Sequence, residues 1–107
     1  MENFNNIEKK FKSKGIVRGG ILLVPINHAL EMILEAEKEG VNILGIDGFF
    51  IKDDVTEPSM DNSVQFDEES SNHADAKKFL ENKRSKGLLF EIVFDRYGVS
   101  GEASWDV

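Results

Sequence analysis

The chain has 107 residues, room for one compact domain and not for two independent cores. It has no cysteine, which excludes disulfides and thiolate metal sites as the means of holding the fold and suits a reducing cytosol. Its net charge of −7 is concentrated: residues 47–75 hold nine acids against Lys52 alone, giving −8, while residues 1–46 are neutral and residues 76–107 are +1. A segment of that sign repels nucleic acid and anionic membranes and attracts basic proteins. The plainer reading is a solubilising loop region.

The N-terminus, "MENFNNIEKK", is polar from its first residue and lacks the apolar stretch of a signal peptide. The apolar run "ILLV" is far too short to span a bilayer, so a soluble, cytoplasmic protein is expected. Phe4, Ile7 and Phe11 stand at helical spacing with lysines on the other side, which predicts a short amphipathic helix. Gly15, Gly19 and Gly20 then interrupt the pattern around a short extended piece. Ile26, Ala29, Leu30, Ile33 and Leu34 follow the i, i+3, i+4, i+7, i+8 stripe. Pro25 ahead of it and Gly40 behind it predict a helix over 26–39.

"VNILGI" has the β-branched, apolar character of a strand, and Asp47-Gly48 after it is a strong hairpin-turn signal. On that reading "FFIK" is the returning strand, "VTEPSMDN" a loop and "SVQFD" a third strand. Asn72 followed by Asp75 resembles a capping signal for a second main helix ending near Gly87. In "LLFEIVFD" the residues Leu88, Phe90, Ile92 and Phe94 form one apolar face and Leu89, Glu91, Val93 and Asp95 a mixed one. The expected fold is α+β in two layers: a mainly antiparallel sheet of about four strands with two main helices on one face, its mixed face left for binding. One domain spans residues 1–107, with 1–25 as an N-terminal extension and 96–107 as a C-terminal arm.

Chemistry finds little support. No stretch meets EF-hand spacing, since the run from Asp53 to Glu69 has no glycine. His28 and His73 lie on different predicted helices and form no metal-binding pair. There is no GxSxG elbow and no Walker loop, because "GIVRGG" lacks the Lys-Ser/Thr ending. Neither a metal, a cofactor nor a catalytic residue is assigned. Asp47 with Glu91 is the one carboxylate pairing open to proposal, so a small carboxylate-site enzyme or ligand-binding domain near Asp47 is the alternative reading. The lysines of the first helix and the cluster Lys77, Lys78, Lys83, Arg84 and Lys86 read as solvated helix surface, not a nucleic-acid site.

"AEKEGVNILGIDGF" resembles the immunity proteins of the E-group colicin whose ribonuclease domain cuts tRNA anticodon loops. The resemblance rests on Gly40 as the helix stop and on Ile43, Leu44, Gly45, Ile46, Asp47 and Gly48. More weakly, it rests on Ser63, Phe66 and Asp67, which resemble an aromatic-Asp strand end ahead of a second helix. It covers roughly residues 26–95. The resemblance implies a small cytoplasmic antitoxin that binds a basic toxin nuclease, one to one, and fills its RNA-binding cleft by mimicking nucleic acid. The −8 segment fits that expectation independently, since carboxylates can occupy phosphate positions in a basic cleft. The expected partner-binding residues are Asp47, Asp53, Asp54, Glu57, Asp61, Asp67, Glu68 and Glu69. Phe49 or Phe50, with Phe50 the choice, supplies an aromatic anchor. Asp47 is expected to set the turn first and to make a contact second.

Overall fold

A computed structural model describes residues 4–67, 72–83 and 87–95. Among these residues the chain is α+β, with three α-helices and five strands in two antiparallel sheets. Helix α1 spans Asn6–Phe11 and is closed by a capping box. Asn5 Oδ1 accepts the Glu8 amide at 2.8 Å and the buried Glu8 carboxylate accepts the Asn5 amide at 2.9 Å. A single 3₁₀ turn, Lys12–Lys14, leads into a hairpin of β1, Ile16–Arg18, and β2, Ile21–Leu23. Gly19 and Gly20 form its two-residue turn with φ of 59° and 81°, the left-handed pair that such a turn needs.

Helix α2 runs Ile26–Glu39 behind Pro25, and the Gly40 N–H donates back to the carbonyls of Ala36 and Glu37 at its end. Strand β3, Ile43–Lys52, lies between β4, Val55–Gln65, and β5, Leu88–Phe94. Helix α3 spans His73–Glu81. The hydrophobic core lies where α2 and α3 meet the inner side chains of β3 and β5: Ala29, Met32 and Ile33, with Ile43, Ile46, Phe90 and Phe94. The first 25 residues supply Ile7, Leu22, Leu23 and Val24 to the buried set. Val24 joins the two sheets by exchanging backbone hydrogen bonds with Phe90, at 2.9 and 2.8 Å. Lys10 of α1 forms an ion pair with Glu35 and lies 3.8 Å from Glu39 on α2. That contact raises the Lys10 pKa and lowers that of Glu35.

Five expectations are corrected. The hairpin does not turn at Asp47-Gly48: β3 passes straight through both residues and turns at Asp53-Asp54, whose φ values of 51° and 69° are the only positive ones outside glycine among the described residues. "VTEPSMDN" is not a loop but most of β4. Pro58 is tolerated there because β4 is an edge strand and needs only one side of its backbone for pairing. Asn72 opens α3 but does not cap it with its side chain. Its amide instead donates to Ile43 O at 2.9 Å and Asp67 O at 2.8 Å, which ties α3 to the start of β3. Next to it the buried His73 ring meets Val41 O at 2.7 Å through Nε2. The sheet expected to have about four strands is thus a three-stranded sheet bridged to a two-stranded one, and α3 stops at Glu81, short of Gly87.

Candidate functional site

The β3–β4 hairpin carries most of the acid in the described part of the −8 segment. The strands pair from Gly48↔Ser59 to Lys52↔Val55, and the two-residue turn projects Asp53 and Asp54 into solvent. Glu57 follows on β4, paired with Phe50, and is exposed. Asp61 sits in a wide bulge, because only Asp47 of β3 lies between the pairs Ile46↔Val64 and Gly48↔Ser59 while β4 runs from Met60 to Ser63. Side chains close that bulge. Ser63 Oγ accepts the Gly48 amide at 3.1 Å and donates to Ser59 O at 2.8 Å, and Asn62 Nδ2 donates to Ser59 Oγ at 2.8 Å. The bulge lifts Met60 to 84% exposure beside Asp61.

Among the described residues, Asp47, Asp53, Asp54, Glu57 and Asp61 carry no ion pair. The cations that reach this hairpin bind its other groups. Arg18 Nη1 donates to Asp54 O at 3.1 Å and Thr56 Oγ1 at 3.3 Å, and Lys83 Nζ donates to Asp61 O at 3.1 Å. These contacts brace the hairpin through its backbone and leave the carboxylates outward. Asp67 is exposed at the end of this run, two residues past β4. Glu68 and Glu69 lie outside the described residues, as does the segment 96–107.

Phe50 is half-buried and packs against the core, with Glu57 and Leu88 as its strand partners. Phe49 points to the opposite face, between Pro58 and Leu89. That second face of the sheet also carries Asp47 and Glu91, which stand directly opposite each other across β3 and β5. Beyond them a cleft of about 320 Å³ opens to solvent, lined by Leu44, Gly45, Asp47, Val64, Gln65, Phe66 and Val93. Asp47 is therefore a half-buried strand residue lining a cleft, not a residue at a turn tip.

The exposed methionine and the cleft could not be found by periodicity, because both depend on the β4 bulge, which a run such as "PSMDNS" does not announce. Among the described residues no three His, Asp or Glu side chains group as metal ligands. No helix among them is long and apolar enough to cross a membrane. No family model matches the chain, and no curated protein matches it.

Proposed function

We propose that the chain is an immunity protein: a cytoplasmic, non-enzymatic inhibitor that binds a bacterial toxin one to one and covers its basic nucleic-acid-binding cleft with an acidic surface. A ribonuclease is the toxin that the resemblance in Ile43 to Gly48 favours. The observation that carries the reading is the hairpin on which Asp53, Asp54, Glu57 and Asp61 stand exposed and without ion pairs, next to Asp47. Unpaired carboxylates held together repel one another in the free protein, whereas a basic cleft is recruited by them and oriented before contact. Asp67, Glu68 and Glu69 extend the same acidic run in sequence.

Charge alone gives fast association, and tight inhibition also needs a desolvated anchor. Met60 beside Asp61 and Val55 beside Asp54 are exposed, and Phe50, half-buried, pairs with Glu57, so apolar side chains stand among the acids. The test is co-expression with the product of the adjacent upstream gene. Rescue of growth, and a complex whose association slows by about tenfold or more between low and physiological salt, is the expected result. A toxic neighbour that is neither bound nor neutralised overturns the proposal.

A further inference from the structure

The cleft on the uncovered face of the sheet has a composition that the exposed acidic hairpin lacks. Leu44 and Val93 form apolar walls from β3 and β5, Phe66 forms a third, and Asp47 and Gln65 supply the polar atoms. Its volume of about 320 Å³ lies at the bottom of the range for small-molecule sites, nearer to one long side chain than to a cofactor. The Asp47 carboxylate has no hydrogen bond or ion pair among the described residues. Its cross-strand neighbour on the same face is another acid, Glu91. An unpaired carboxylate beside apolar walls favours a cationic ligand over an anionic one.

We propose that this cleft receives an arginine side chain of the protein partner, with its aliphatic stem against Leu44, Phe66 and Val93 and its guanidinium on Asp47. This rests on the immunity reading for the identity of the partner but not for the chemistry of the cleft. Arginine fits better than lysine because its planar fork pairs with a carboxylate through two parallel N–H···O bonds, leaving donors for the Gln65 side-chain oxygen. It is also less strongly hydrated, so it loses less on leaving water for a partly apolar cleft. A metal ion fits poorly, because the apolar walls cannot replace its hydration shell. Gly45 lines the cleft and must be glycine, because a Cβ there would meet Val64 O at 2.8 Å.

The test begins without any toxin. N-acetyl-arginine methylamide is titrated into the ¹⁵N-labelled full chain, beside the citrulline analogue, a neutral side chain of nearly the same shape. Saturable amide shifts at Gly45, Asp47, Gln65 and Val93 are expected with arginine, with citrulline weaker by about tenfold, the worth of a charge-assisted hydrogen bond. Asp47→Asn should abolish the preference while keeping the spectrum of a folded protein. Shifts confined to Asp53–Asp61, equal binding of citrulline, or no saturation would each overturn the proposal. With the toxin, Asp47→Asn should raise the dissociation rate by about tenfold or more, leaving association nearly unchanged. If the toxin is neutralised but the titration is flat, the cleft proposal fails and the immunity reading stands. If the titration saturates in the cleft but no toxin is bound, the immunity reading fails and the arginine preference stands.

Discussion

Replacing Asp53-Asp54 by Asn-Gly should move stability and inhibition in opposite directions. Both residues hold positive φ, 51° and 69°, a conformation that costs an ordinary L-residue roughly 1–2 kcal/mol and an aspartate less. Asparagine at the first position is close to neutral, being the commonest partner of glycine in this turn. Glycine at the second removes the strain but adds unfolded-state freedom worth about 0.5–1 kcal/mol. The brace from Arg18 is kept, because it ends on the Asp54 carbonyl and not on a side chain. Removing two adjacent, unpaired charges also lowers repulsion at the tip. The net expectation is a gain of about 0.5–1 kcal/mol, read as an upward shift of about 2–8 °C in Tm for a domain of this size. At the same time the net charge falls in magnitude by two from −7, and association with a basic toxin should slow by about threefold or more at low salt. Urea unfolding and stopped-flow binding on one preparation measure both. A loss of about 1 kcal/mol or more would refute the assignment of this turn. Unchanged association would remove the tip from the contact surface.

Gly48→Ala should destabilise by about 1–3 kcal/mol, since its Cβ would stand 2.5 Å from Asn62 O and 2.7 Å from Asn62 Cβ; urea midpoints with an unchanged slope check it. Asn72→Ala removes the two hydrogen bonds donated to Ile43 O and Asp67 O and should cost about 1–3 kcal/mol by the same measurement. Glu35→Gln should lower stability across the neutral range and make no difference at the extremes of pH. The Lys10 hydrogen bond holds the Glu35 carboxyl below its ordinary value, so that contribution is complete above the ordinary carboxylate range and disappears as pH falls through the lowered value. The same contact raises the Lys10 pKa, so the contribution is complete below the ordinary lysine value and disappears as pH rises through the raised one. Denaturation of both proteins at several pH values reads the difference, and a pH-independent gap would show that the ion pair is not its cause.

The elements whose signals are local were legible. Helix α2 begins and ends where the apolar stripe, Pro25 and Gly40 place it, and β5 has the alternating burial that its sequence alternation implies. Two turn signals compete within eight residues, and the one with the better local composition is not the turn. Asp47-Gly48 has the preferred turn composition, yet Gly48 is needed in the strand, where Asn62 of the β4 bulge presses against it. Asp53-Asp54 is a poorer turn sequence that the longer strand pairing imposes. Gly19-Gly20 is a turn of the same kind, and the strands beside it, of three residues each, are too short for their alternation to announce a hairpin. The acidic surface was legible from charge counting, since exposed carboxylates need no particular fold to be counted. The cleft was not, because Gln65, Phe66 and Val93 meet Asp47 only through the sheet register.

The same register separates what the Ile43–Gly48 motif says about fold from what it says about function. Ile43 and Ile46 are fully buried under the helices, so core packing fixes them. Gly45 and Gly48 are fixed by the close approach of Val64 and Asn62 from β4. Any chain that folds a bulged edge strand over this strand would need those four residues, whatever it binds. Leu44 and Asp47 are different, because they line the cleft and stand outside the core cluster. A buried position tolerates only what packs, whereas a half-open one is free to hold a carboxylate that opposes Glu91. The functional weight of the resemblance therefore rests on Leu44 and Asp47. A relative that keeps Ile-x-Gly-Ile-x-Gly but carries a neutral residue at position 47 should share this sheet and its bulge, and should not discriminate arginine from citrulline.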